Sequence, residues 1–164
     1  IVIGPRERSP LPISRHKTMR HDLEVGDYSI YGFHTHDLPG IIVKHMTPGE
    51  LADIVRWSTE QFDRDLQLMV FYRFRRIIVE DPSNSIQRQK SINGVRTDEI
   101  RRLLVTTEVL GDIPVTLGGD ALACGRMLEA WFSLFRWKVN DDPSCCFVSP
   151  PESCGDPLIG PTDW

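Results

Sequence analysis

Apolar positions recur along the chain with two different periods, and the switches between them predict its elements. From Thr47 the pattern is helical. Thr47 as N-cap, Pro48 at the first helical position and Glu50 three residues on form a capping box, with Met46 and Leu51 placed as a hydrophobic staple. Leu51, Ile54, Val55, Ser58 and Phe62 then share one stripe, with Trp57 off its centre. A second helix is predicted after Thr97 or Asp98, with Ile100, Leu103, Leu104 and Thr107 inward. Asp120 caps a third, whose Cys124, Met127, Leu128, Trp131, Leu134 and Phe135 keep the helical period, so this Met and aromatic stripe reads as core.

Strand spacing dominates elsewhere. "VGDYSIYGFHTH", Val25 to His36, is rich in aromatic and β-branched residues, and "GIIVK" follows the Asp37 to Gly40 turn, a hairpin signal. "LQLMVFYRFRRIIVED", Leu66 to Asp81, reads as one long bent strand or hairpin. Its Leu66, Leu68, Val70, Tyr72 and Phe74 share a face, which leaves Phe71 an aromatic among Gln67, Arg73 and Arg75. "SIQRQKSINGVR" reads as a loop or weak hairpin. The fold class expected from this order is α+β, a mainly antiparallel sheet with helices packed against it in a single domain. Residues 1–20 form an extended lead-in, 21–140 the domain, and 141–164 a Pro- and Cys-rich irregular tail.

Composition narrows the function. The chain has 164 residues, enough to bury a core without disulfide or metal staples. A net charge of −4 argues against a broad polyanion-binding surface and leaves room only for local basic clusters, at Arg15 to Arg20, Arg73 to Arg76, Arg88 to Lys90 and Arg101 with Arg102. The apolar runs are too short to span a bilayer. Cys145, Cys146 and Cys154 lie in the tail with no CxxC pair and no nearby histidine, which gives little support to a structural zinc site and fits a reduced, intracellular setting.

The candidate chemistry sits in "FHTHDLPG". His34 and His36 share a strand face and could grip a metal ion. The order strand, His-x-His, helix, long strand resembles the JAMM metalloisopeptidases, but Asp37 stands where that family has Pro, and Thr47 with Glu50 comes late and serves as a cap. Glu24 is the available general base. This zinc hydrolase is the enzyme alternative, and a ligand-free protein-interaction module is a third reading.

A second resemblance covers more of the chain. "FHTHDLPGIIVKHMTPGELADIV", "MVF" at Met69 to Phe71 and "SIQRQKSINGVRTDEIRRLL" resemble, in order and spacing, the cap-binding domain of the orthomyxovirus polymerase basic subunit two, over about Val25 to Leu110. The resemblance implies a non-catalytic domain of a viral RNA polymerase subunit that acts in cap-dependent priming of transcription. His34, or His36, and Phe71 would sandwich a methylated guanine, and Arg73 and Arg75 would meet phosphates. Leu38 and Asp53 occupy positions where the family carries an acid and a Lys, so cap binding is expected to be weak or lost. No metal and no cofactor are expected. The implied partners are capped host RNA and other viral polymerase subunits, with no membrane, for a monomeric isolated domain whose parent polymerase resides in the host nucleus and the virion.

Overall fold

The computed structural model describes residues 1–34, 40–57 and 60–141. His36, Asp37, Leu38, Ser58 and the tail cysteines lie outside the described residues. In chain order the elements are β1 (Val2–Ile3), β2 (Met19–Arg20), β3 (Tyr28–Ser29), β4 (Ile41–Met46), α1 (Pro48–Trp57), α2 (Glu60–Met69), β5 (Phe74–Glu80), α3 (Ser85–Arg88), β6 (Ser91–Ile92), β7 (Val95–Arg96), α4 (Thr97–Val109), β8 (Val115–Gly119) and α5 (Ala121–Asp141). The α+β class in one domain holds. Among the described residues β6 and β7 form a separate hairpin, and the main sheet has six strands in the order β2-β1-β3-β4-β5-β8.

That sheet is mixed. β3 pairs antiparallel with both β1 and β4, whereas β4, β5 and β8 run parallel. The parallel centre follows from "IIV" at Ile41 to Val43 and again at Ile77 to Val79, two runs apolar at every position and fully buried, which suits strands covered on both faces. Alternation splits them between two cores. Ile42, Met46, Ile77 and Val79 face one core with Leu51, Phe62, Met69, Ile100 and Leu104, while Ile41, Val43 and Ile78 face the other with Cys124, Leu128, Phe132 and Phe135 of α5. Helices therefore cover both sides of the sheet.

Several local signals form as expected. The Thr47 amide donates to Glu50 Oε2 at 2.7 Å and the Glu50 amide to Thr47 Oγ1 at 3.3 Å, the reciprocal bonds of a capping box. Asp120 Oδ1 accepts the Ala123 amide at 2.7 Å and starts α5. At α4 the expected side-chain cap is absent: Arg96 is the N-cap, and Thr97, already helical, donates its hydroxyl to the Gln89 carbonyl instead. Leu134 is exposed on α5 rather than inward.

The long strand from Leu66 does not form. Leu66 to Met69 complete α2, residues 70–73 turn, and β5 begins only at Phe74. Phe62, Asp65 and Met69 are the buried positions of α2, a helical period that overlaps the period-2 pattern of so short an apolar run. Burial of the Phe62 to Met69 stripe against the sheet decides between them.

Candidate functional site

In open sheets with parallel strands, ligands bind beyond the carboxyl ends, where the connections diverge. Here those ends are charged. Lys44 and His45 close β4 on opposite faces, and Glu80 closes β5. Glu7, from the loop after β1, and Asp27, just before β3, complete the group. The Glu7 loop is fastened by Arg20, whose guanidinium donates to the Gly4 and Glu7 carbonyls at 3.2 and 2.9 Å.

His45 is the centre of this cluster. Its Nδ1 lies 2.8 Å from Glu7 Oε2 and its Nε2 3.2 Å from Glu80 Oε2, while its backbone N–H donates to Asp27 Oδ2 at 2.8 Å. The ring and Glu7 are almost wholly buried, at 6% and 7% side-chain exposure, and Glu80 is at 25%. Only the imidazolium can donate from both nitrogens at once. Burial of the ring opposes its charge, but the hydrogen bond to Glu7 and the charges of Glu7, Glu80 and Asp27 outweigh that cost and hold its pKa above the usual histidine value. For Glu7, burial pushes upward, and the bonds to His45 and the Ser9 amide prevail and hold it low. For Asp27 burial wins, and its pKa is raised despite Lys44 and the His45 amide. Asp27 is placed by Gly26, whose φ of +71° only glycine adopts freely, and where a Cβ would sit 2.6 Å from Ile42 Cγ1.

On the other face of β4, Lys44 Nζ meets the buried Asp65 of α2 at 2.8 Å. Gln61 donates to the same carboxylate at 2.8 Å, and the Arg6 guanidinium stands 3.6 Å away. Each buried carboxylate of the site thus faces a cation or an amide of the chain itself.

This arrangement does not suit a divalent metal. Mg²⁺ or Ca²⁺ takes about six or more oxygen ligands at roughly 2.0–2.6 Å, and Zn²⁺ about four ligands with free lone pairs. Glu7 and Glu80 instead direct oxygens at the imidazole between them, Glu7 Oε1 accepts the Ser9 amide at 2.8 Å, and Asp27 Oδ2 accepts the His45 amide. Among the described residues no group of three or more His, Cys, Asp or Glu side chains is arranged to hold a metal.

The residues singled out in the sequence lie elsewhere. The His34 ring packs on Tyr31 and His21, at centroid distances of 5.7 and 4.8 Å, and makes no ring contact with Phe71. Phe71 is 46% exposed in the turn after α2, while its neighbour Tyr72 is buried and donates its hydroxyl to the His34 carbonyl at 3.2 Å. Arg73 borders an apolar groove with Phe74, Trp131 and Leu134. Arg75 is engaged with Asp112, bonding its carbonyl at 2.9 Å and also its carboxylate, and ties β5 to the segment before β8. His36 lies outside the described residues. The cluster around His45 escaped the sequence reading although a signal existed: two continuous "IIV" runs, one closed by Lys44 and His45 and the other by Glu80, mark the ends of buried parallel strands.

No family model matches the chain, and no curated protein matches it in sequence. Solved structures do. XPF from Aeropyrum pernix superimposes with a TM-score of 0.61 at 18% identity, covering 87% of this chain and 68% of that one. The same protein in complex with DNA gives a TM-score of 0.60 at 20% identity, covering 85% of this chain and 64% of that one, just under two thirds of its length. These likenesses overturn the orthomyxovirus cap-binding reading: the chain superimposes on XPF over most of its length, and the order-and-spacing matches at "FHTH" and "MVF" carried no fold with them. With that reading go its priming role and its viral polymerase partners. No helix among the described residues is long and apolar enough to cross a membrane. The chain has the fold of XPF.

Proposed function

We propose that this chain is a DNA-binding domain of XPF-like fold that does not itself cleave the strand it binds. The DNA-binding half is supported by the likeness, over 85% of the chain, to an XPF solved with DNA. The non-cleaving half is carried by one observation, the His45 imidazole bridging Glu7 and Glu80 at the carboxyl ends of β4 and β5. Metal-dependent phosphodiester cleavage needs carboxylates free to hold ions that activate the nucleophile and stabilise the leaving oxygen. Here those oxygens are taken up by an internal cation. A metal could reach those oxygens only by displacing the imidazole from between the two carboxylates.

The test is a titration of labelled single-stranded and duplex DNA with the purified chain, followed by incubation of the complexes with Mg²⁺ or Mn²⁺. Salt-sensitive binding with intact strands is expected. Cleavage that requires the metal and vanishes in Glu80→Gln would refute the non-cleaving half, and absence of binding at low salt would refute the whole reading.

A further inference from the structure

Away from the His45 cluster, the segment from Asn84 to Arg102 carries five cations, Arg88, Lys90, Arg96, Arg101 and Arg102, against two carboxylates, Asp98 and Glu99, in a chain whose net charge is −4. We propose that the β6–β7 hairpin, together with the end of α1, forms a docking surface for single-stranded DNA, on which Trp57 stacks a base and the hairpin cations hold the phosphates. This deepens the DNA-binding reading and rests on it.

The surface is already assembled. Asn93 and Gly94, both at positive φ (49° and 80°), make the tight turn that a two-residue hairpin requires. The Arg56 guanidinium bonds the Asn93 carbonyl and fixes the turn to the end of α1. At the hairpin base, Thr97 donates its hydroxyl to the Gln89 carbonyl at 2.8 Å, and Arg101 reaches the Gln87 carbonyl at 3.2 Å. Ile92 and Val95 turn inward, which leaves Ser91 and Arg96, directly opposite each other, on the outer face.

Trp57 has no structural use that burial would reveal, being 74% exposed, the highest among the large apolar side chains exposed in the described residues. The Arg56 guanidinium lies 5.7 Å from the centre of its ring. Arg56 thus joins the indole to the hairpin turn and places a cation beside it. Arg88 and Lys90 are exposed and make no ion pair among the described residues, whereas Arg96 is shared with Asp98 at 3.3 Å while remaining 73% exposed. A flat aromatic ring flanked by cations favours an unpaired strand over a duplex, because stacking needs a base whose face is free and the bases of a duplex already stack on one another.

Anisotropy titrations of the full chain with labelled oligo(dT) and with a duplex of the same length test this. Trp57→Ala should weaken oligo(dT) binding by about 5- to 150-fold and leave duplex binding within about twofold, with Trp57→Phe recovering most of the loss. Lys90→Gln and Arg96→Gln should each lower the slope of log affinity against log salt by about 0.7 on the single strand. Because all three side chains are exposed, the variants should keep the parent's circular dichroism and melting temperature. If Trp57→Ala and Lys90→Gln bind oligo(dT) as the parent does, this surface is wrong while DNA binding stands. Equal losses on both substrates overturn the single-strand assignment. A parent chain that binds neither substrate refutes the DNA-binding reading itself, and this inference with it.

Discussion

Replacing His45 by Leu is the sharpest test of the charge arrangement at the strand ends. The substitution fills the space but leaves the buried Glu7 carboxylate and the quarter-exposed Glu80 facing each other without the cation between them. Breaking a buried pair from one side costs about 3–5 kcal/mol, and the exposure of Glu80 places the expectation near the lower end. The pH dependence is more telling than the size. A raised His45 pKa means that its stabilisation is complete below the unfolded value of about 6.5 and is lost as pH rises through the higher folded value. Glu7 has the opposite sign: with its folded pKa held low, its contribution is present above the ordinary glutamate value and is lost as pH falls through the folded one. Asp27, raised by burial, works against Glu7, favouring the fold at acid pH and ceasing to do so as pH rises through its folded pKa. The penalty of His45→Leu should therefore peak near pH 6, shrink toward pH 4 as the stranded carboxylates take up protons, and shrink again above the folded His45 pKa, where the parent ring is neutral. Urea unfolding followed by circular dichroism at several pH values reads this directly. A penalty that stays constant across pH, or an unchanged midpoint at pH 6, would show that His45 is not held as a cation between Glu7 and Glu80.

Three further outcomes follow from the same structure. Thr47→Ala should cost about 1 kcal/mol in denaturant unfolding, since it removes the acceptor for the Glu50 amide at the start of α1. Gly26→Ala should destabilise by about 1–3 kcal/mol, because φ is +71° and the new Cβ meets Ile42, and a melting temperature equal to the parent's would contradict that backbone. Phe71→Ala should change the unfolding midpoint by less than about 0.5 kcal/mol, as its ring is exposed in a turn, and a larger loss would return it to the core.

The helices were largely legible in the sequence because their signals are local. A capping box spans four residues, and the inward positions of α4, Ile100, Leu104 and Thr107, repeat within three turns, so neighbours along the chain were enough to place them. Asn93-Gly94 likewise makes its turn by its own backbone preference. What lay beyond local reading was decided by contacts between distant segments. Leu66 to Met69 satisfy strand and helix periods equally well, and only the core on which Phe62 and Met69 land makes them helical. The parallel pairing of Ile41–Met46 with Phe74–Glu80, and of that strand with Val115–Gly119, leaves no spacing signature, because the crossovers between them hold whole helices. The charged cluster depends on that pairing. Glu7, Asp27, His45 and Glu80 span more than seventy positions of sequence, and none stands out alone. The sheet's strand order brings them within hydrogen-bond distance, and their burial there turns four ordinary ionisable side chains into a site with a fixed charge pattern.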